Sequence, residues 1–219
     1  MLNIHKLPLA DFLSHMRTVL DNVTSSADLG AAMAAFGYDA ARLQEGQTLL
    51  DDLIAADVTQ VKEYADQYAA TVAINQAQED ADKTYGLHRA LAKRLFSGNK
   101  QAQRELLLSE PKPTRRAEWL RQANIFYTRL LATPAFVTEM GKFGQTQVIL
   151  EGAATAVTAI AALDSSQQKE TAEAQEATRQ RDDIWSQARV WLVTLTEVAQ
   201  FALADQPQLL EALDVVKPS

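Results

Sequence analysis

Apolar residues recur about every 3.5 positions along two long stretches of the chain, as in helices that pack along one face. In the second stretch this spacing continues across a polar centre from residue 150 to residue 202. The positions form two series, namely Leu150, Val157, Asp164, Thr171, Thr178, Trp185, Leu192 and Ala199, and Ala153, Ile160, Gln167, Ala174, Arg181, Ala188, Leu195 and Ala202. The first stretch is predicted to pack through Ile54, Val58, Val61, Ala65, Tyr68 and Val72, and then through Ala77, Ala81, Tyr85, His88, Ala92 and Leu95.

Two arrangements of these stretches follow from the absence of helix breakers. Neither Gly nor Pro occurs in residues 47–85 or 153–206. Each stretch therefore forms one helix of nearly sixty residues, roughly 85 Å long and antiparallel to the other, or bends into a hairpin. The bend would lie near Asp57 and Asp164, where Asp-x-x-Gln resembles a capping box. The uninterrupted spacing favours continuous helices, and both arrangements are all-α.

One helix-ending pattern occurs twice in the chain. The sequence MAAFGYDAARL begins at Met33, and MGKFGQTQVIL begins at Met140. We call the separation of these two methionines along the chain the repeat offset. We expect Gly37 and Gly144 to end helices with a positive φ, which glycine adopts without strain. Asp39 and Thr146 follow these glycines at equal distances and are predicted to cap the next helix.

Further matches at the repeat offset, among them the Asp-x-x-Gln and Lys-Glu pairs, predict a tandem duplication. The predicted fold is an internally duplicated, pseudo-twofold helical bundle, with short helices at the ends of two long antiparallel ones. Residues 1–110 form the first repeat and residues 111–219 the second, together making one intertwined structural domain. The joint is SEPKPTRR, where two prolines interrupt helix formation.

Composition supports a soluble helical protein. The chain of 219 residues is 47% hydrophobic and 22% charged, with only eight Gly and six Pro. It has no Cys, which excludes disulfides and thiolate metal sites and fits a reducing compartment. The first residues do not resemble a secretory signal, and no apolar run approaches the roughly 18 to 20 residues of a membrane span. We therefore expect a bacterial cytoplasmic protein with no membrane partner.

Charge is distributed unevenly along the chain. The formal net charge is −7, yet the region from Lys83 to Arg129 contains eleven Lys or Arg and three Glu. Clustered cations of this kind can neutralise phosphates, although no aromatic nucleic-acid motif accompanies them. An ordinary solvated face is favoured, and anion or nucleic-acid binding through region 83–129 remains the alternative. The candidate residues are Arg89, Lys93, Arg94, Lys100, Arg104, Arg115 and Arg116.

Three parts of the sequence resemble a diffuse group of uncharacterised bacterial helical proteins. They are the segment HRALAKRLFSGNKQAQRELL, the recurring Phe-Gly turn and the ending QFALADQPQLLEALDVV. The resemblance covers most of the chain. Its motifs are structural, so the resemblance implies an all-helical bundle or coiled coil and no activity, cofactor or substrate.

No residue pattern predicts catalysis, a cofactor or a metal. The histidines His5, His15 and His88 lie outside any Glu-x-x-His pair, the motif of di-iron bundles. His88 is interpreted as a buried, hydrogen-bonded histidine rather than a ligand. A cluster of aromatic residues is predicted to form the core of a group of short helices, with an exposed binding groove as the alternative: Trp119, Phe126, Tyr127, Phe136 and Phe143.

The sequence thus favours a non-enzymatic structural or protein-interaction scaffold that associates with itself or with a protein partner. A thinly apolar coiled coil with polar flanks often needs further helices for stability. An enzyme or ligand carrier with a pocket between helices is a third class, for which the sequence names no residue.

Overall fold

The computed structural model describes residues 4–211 and Leu213, and the protein is all-α as predicted, with 84% of these described residues in helices. A short 3-10 helix, Ile4–Lys6, precedes the α-helices. The α-helices are α1 (Leu9–Ser25), α2 (Ala27–Ala34), α3 (Ala40–Leu95), α4 (Lys100–Glu105), α5 (Arg116–Ala132), α6 (Pro134–Gly141), α7 (Gln147–Ala202) and α8 (Pro207–Glu211).

Both long stretches are continuous helices. Helices α3 and α7 each contain 56 residues, and neither bends into a hairpin at Asp57 or Asp164. The two glycines before them adopt the expected left-handed conformation, with φ of 89° at Gly37 and 79° at Gly144. Glycine adopts this conformation at little cost, which suits it to the turns that follow α2 and α6.

Side chains cap several helix starts. The Asp39 carboxylate accepts a hydrogen bond from the Arg42 amide over 3.0 Å, as predicted, and Ser26 and Asn99 cap α2 and α4 in the same way. Each bond satisfies an amide that has no partner within its own helix. The corresponding prediction for Thr146 is not met, since within the described residues its side chain makes no such bond.

The helix boundaries recur at a constant distance along the chain. Helix α5 begins and ends one repeat offset after α1, α6 stands in the same relation to α2, and α7 to α3. The members of each pair therefore have equal lengths, of 17, 8 and 56 residues.

The chain divides into two compact units, and each contains parts of both long helices. Unit 1 consists of Met1–Tyr64 and Glu173–Ser219, and unit 2 is the continuous segment Ala65–Ala172. Unit 1 thus combines α1, α2 and the first part of α3 with the second part of α7 and α8. Unit 2 combines the remainder of α3 with α4, α5, α6 and the first part of α7.

In unit 1 the segments of α3 and α7 run antiparallel. Gly46 lies against Trp191, and farther along α3 the Gln60 side chain accepts a hydrogen bond from Arg181 over 3.0 Å. Helix α1 covers this pair with an apolar face. The largest fully buried side chains of unit 1 are Phe12, Met16, Leu29, Met33, Leu50 and Leu53.

Unit 2 has an aromatic core centred on Tyr85 of α3. The Tyr85 ring lies 5.9 Å from Trp119 and 5.4 Å from Phe126, both of α5, in edge-to-face contacts. Four of the five predicted core aromatics are buried, namely Trp119, Phe126, Tyr127 and Phe136. The prediction is wrong for Phe143, which is 58% exposed because it lies in the turn before Gly144.

The predicted packing faces of the long helices are confirmed for α7 and only partly for α3. All sixteen predicted positions of α7 are buried or half-buried. In α3 the second series is also covered, from Ala77 to Leu95. The first series is wrong beyond Ile54, because its side chains from Val58 to Val72 are exposed and a polar face is covered instead. That covered face contains Asp57, Gln60, Gln67, Thr71 and Ile74.

Helix α7 contains one window of 18 residues with a mean hydropathy of 1.5, of which 22% is buried. By length and composition such a helix can cross a membrane. This is weak evidence, because core helices of soluble proteins satisfy the same criterion.

Candidate functional site

The structure separates the predicted basic residues into structural and exposed ones. Arg89 belongs to the core of unit 2, where it is only 7% exposed. Its Nη2 atom donates to the carbonyl oxygens of Leu107, at 3.2 Å, of Leu108, at 3.5 Å, and of Glu110. The expectation that Arg89 contributes to an exposed anion-binding face is therefore wrong.

The carbonyls that Arg89 contacts follow a left-handed residue. Leu107 has a φ of 51°, which costs a non-glycine residue about 1 to 2 kcal/mol. This turn comes directly after α4, whose last carbonyls lack partners within the helix. The guanidinium supplies a donor to the buried Leu108 carbonyl and adds one to the Leu107 carbonyl, which also accepts from the Glu110 amide over 3.3 Å.

Arg116 also has a structural role. At the start of α5 it donates to Asn75 over 2.9 Å and to Gln78 over 2.6 Å, both on α3. It also forms an ion pair with Asp164 of α7 at 3.1 Å. One guanidinium thus joins three helices of unit 2, which leaves it little capacity to bind an external anion.

The other five candidates are exposed. Lys93 and Arg94 lie in the last turn of α3, Lys100 and Arg104 lie on α4, and Arg115 directly precedes α5. None of their side chains forms a hydrogen bond or ion pair within the part of the chain that the structure describes. The exposed cations Arg121 and Arg129 of α5 are in the same situation.

His88 has two hydrogen-bond partners in the interior of unit 2. Its Nδ1 lies 2.9 Å from the Tyr127 hydroxyl, and its Nε2 lies 2.8 Å from Oε1 of Gln145. Because Gln145 Oε1 is an acceptor, the neutral imidazole carries its proton on Nε2 and accepts from Tyr127. Burial lowers the pKa of His88, and the hydrogen bond to Gln145 opposes this effect. His88 therefore connects α3 to α5 and to the turn before α7.

A second buried polar contact lies one turn earlier on α3. The Tyr85 hydroxyl donates to Gln122 over 3.0 Å, and the Gln122 amide donates to the Pro111 carbonyl over 2.9 Å. Burial raises the pKa of Tyr85 to about 12, against the opposing effect of nearby Arg89. These groups hold the loop before α5 against α3, and a tyrosine with this pKa stays neutral at physiological pH.

The stability of the protein should depend on the ionisation of His88. The folded protein favours the neutral imidazole, so His88 contributes to the free energy of unfolding when it is neutral. This contribution is complete above pH 6.5, the usual pKa of histidine, and is lost as the pH falls through the lowered pKa of His88 in the folded protein. The variant His88→Gln retains a donor and an acceptor but does not titrate. Between about pH 8 and about pH 5 we expect urea unfolding to show a smaller loss of stability in the variant than in the wild type. Equal losses would assign the pH dependence to other groups.

Unit 2 contains an open groove between α3 and α7. Its volume is about 440 Å³, and small residues form most of its lining, together with Asp80, Thr84 and Ile149. In unit 1, Trp191 occupies the position one repeat offset after Thr84, and its ring lies against Gly46.

Unit 1 contains a cavity of about 460 Å³ beside Tyr38, bordered by α1, α2 and the start of α3. Tyr38 is 4% exposed, and its hydroxyl has no hydrogen-bond partner within the described residues. Burial raises the pKa of Tyr38, although Arg42 opposes the change. A neutral phenol beside apolar side chains does not by itself constitute catalytic machinery.

No family model, curated protein or solved structure matches this chain. The function must therefore be argued from the residues themselves. The buried titratable groups of unit 2 join helices and loops, whereas the exposed cations and the exposed apolar side chains of the long helices are available to other molecules.

Proposed function

We propose that this protein is a non-enzymatic helical scaffold that functions by binding proteins, including further copies of itself. The observation that carries the proposal is the exposure of large apolar side chains on the long helices. Four of these side chains are between 65% and 73% exposed, namely Val58, Tyr68, Leu87 and Val190. Exposed apolar surface of this kind typically marks an interaction site.

The buried polar groups support the same proposal. His88, Arg89 and Gln122 each contact backbone or side-chain groups that hold the fold of unit 2 together. A general acid or base instead needs an accessible proton and a pocket for the reacting group. The geometry of these residues fits a structural role better than a catalytic one.

We propose further that the scaffold arose by tandem duplication and has pseudo-twofold symmetry, with repeats 1–110 and 111–219. The constant repeat offset between helix boundaries supports this origin, as do the left-handed glycines Gly37 and Gly144. A duplication also accounts for units that each combine helices of both repeats. A scaffold built in this way presents two related but different surfaces.

Cross-linking in the cells that make the protein tests the scaffold proposal. We expect lysine-reactive reagents to yield covalent complexes of the full chain with proteins, and mass spectrometry to locate the links on α3 or α7. Recovery of the chain only as an uncross-linked monomer would contradict the proposal.

Anion or nucleic-acid binding is the second candidate, and the exposed cations without partners favour it. Lys93, Arg94, Lys100 and Arg104 lie on consecutive elements, the end of α3 and α4. Cations without internal partners can release counterions from a polyanion on binding, and the affinity then falls with salt. Arg89 and Arg116 have no place in this surface, because both hold the fold together.

Retention on heparin tests this candidate. The variant with Lys93, Arg94, Lys100 and Arg104 replaced by Gln should elute at lower salt than a control with the same loss of charge. The control replaces the exposed cations Arg17, Arg42, Lys142 and Arg179 by Gln. Elution of both variants at the same salt concentration would show that net charge alone determines retention and would remove this candidate.

A further inference from the structure

An exposed apolar stripe runs along the middle of α3. It consists of Val58, Val61, Ala65, Tyr68 and Val72, and we call it the α3 stripe. Spacings of three and four residues place these side chains on one face of the helix. The exposed fractions are 66% for Val58, 63% for Val61, 72% for Tyr68 and 49% for Val72. This surface is a complete packing face for another helix.

The packing of α3 within its own chain does not require the stripe. The covered face of α3 lies beside it and contains mainly polar residues such as Asp57, Gln60 and Gln67. In α7 the positions one repeat offset after the stripe are polar, except for one alanine. They are Ser165, Gln168, Ala172, Gln175 and Arg179. The same helix architecture therefore forms without an apolar stripe, so the stripe of α3 needs another explanation.

We propose that the α3 stripe packs against the α3 stripe of a second copy of this chain, with the two helices antiparallel. The inference rests on the proposed function, because it names the partner and the surface of a self-associating scaffold. With typical side-chain areas, the stripe and neighbouring Tyr64, 49% exposed, offer on the order of 500 Å² of apolar surface. Two copies then bury on the order of 1,000 Å², about the minimum for a specific interface.

The distribution of side chains along the stripe suits an antiparallel pair centred on Ala65. Val58 then faces Val72 of the second copy, and Val61 faces its Tyr68. Each bulky tyrosine lies beside the small Ala65 near the centre of the pair. A pair of this kind places large side chains next to small ones, which lets the facing layers interdigitate.

Sedimentation equilibrium of the full chain tests the stripe. We expect the wild type to dimerise and the variant Val61→Gln/Tyr68→Gln to dimerise at least tenfold more weakly, a loss of about 1.4 kcal/mol. Both replacements introduce the residue that α7 has at the corresponding position. The control Phe36→Gln/Phe143→Gln removes apolar side chains that are 54% and 58% exposed but lie outside the stripe and outside both long helices. We expect it to dimerise as the wild type does.

Disulfide cross-linking tests the orientation, because the chain has no native cysteine. An equimolar mixture of Val58→Cys and Val72→Cys should form mixed disulfide dimers, since these positions face each other in the antiparallel pair. Val58→Cys alone should form few disulfides. The opposite result, efficient linking of Val58→Cys to itself and none in the mixture, would overturn the antiparallel arrangement.

The outcomes separate this inference from the proposed function. A dimer of unchanged affinity in Val61→Gln/Tyr68→Gln would overturn the stripe as the interface and leave the scaffold proposal standing. A wild type that remains monomeric at all concentrations would overturn a second copy as the partner. In that case, protein complexes found by cross-linking in cells would still support a scaffold for other proteins.

Discussion

Replacement of Arg89 by Met should lower the free energy of unfolding by about 3 kcal/mol. The guanidinium donates to the carbonyls of Leu107, Leu108 and Glu110. Methionine fills a similar volume but has no donor, so the buried Leu108 carbonyl loses its partner, whereas the Leu107 carbonyl keeps the Glu110 amide. Removing a buried charge recovers part of its desolvation cost. The loss still dominates, because only one side of the interaction is replaced.

Arg94 provides the matched control for this experiment. It lies in the last turn of the same helix, is exposed, and has no partner within the described residues. Arg94→Met should change the free energy of unfolding by no more than about 0.5 kcal/mol in either direction. Urea unfolding followed by circular dichroism measures both variants. Similar stabilities for the two variants would contradict the structural role of Arg89.

Addition of one methyl group at Gly46 should destabilise the protein by about 1 to 3 kcal/mol. A Cβ atom at this position would lie 2.3 Å from Cη2 and 2.4 Å from Cζ2 of Trp191. The ring would have to move out of its site in the core of unit 1. Gly86→Ala is the control on the same helix, where a Cβ meets no atom within 4 Å. There, alanine should increase stability by roughly 0.5 to 1 kcal/mol, because it favours helix over the unfolded chain.

A double-mutant cycle identifies the cause of the Gly46→Ala effect. Trp191→Thr by itself removes a buried ring and should cost roughly 3 to 5 kcal/mol. In the Trp191→Thr background, Gly46→Ala should barely lower the free energy of unfolding, because the ring atoms that the new Cβ would meet are absent. Unit 2 has this combination naturally, with Ala153 and Thr84 at the positions related by the repeat offset. If Gly46→Ala costs the same in both backgrounds, the contact with Trp191 is not the cause.

The sequence alone predicted the extent of the long helices along the chain better than it predicted which face of each helix is covered. The spacing of apolar residues gave both long helices and every covered position proposed for α7. In α3 it selected Val58, Val61 and Tyr68, because apolar residues are the strongest signal for a packing face. Adjacent residues of a helix point about 100° apart, so an error of one position selects a different face. Transferring the register of α7 to α3 by the repeat offset would have selected Asp57 and Gln60, which are covered.

Arg89 shows what residue spacing cannot predict. It lies among the other basic residues near the end of α3, and nothing in its neighbours distinguishes it from Lys93 or Arg94. Its burial depends on the turn at Leu107, which directs backbone carbonyls toward it from a segment beyond α4. The interior position of His88 was predicted correctly, since it belongs to the second apolar series of α3, which lies on the covered face of that helix.

The division into units has a consequence for synthesis on the ribosome. Unit 2 is one continuous segment, Ala65–Ala172, whereas unit 1 needs residues from both ends of the chain. All of unit 2 is therefore translated before the second part of unit 1 exists. Until residue 173 and those after it emerge, α1 and α2 expose apolar side chains such as Phe12 and Met16, which α7 later helps to cover. Helices α1 and α2 are thus synthesised before unit 2 but complete their core after it, and in that interval their exposed apolar side chains need the protection of a chaperone.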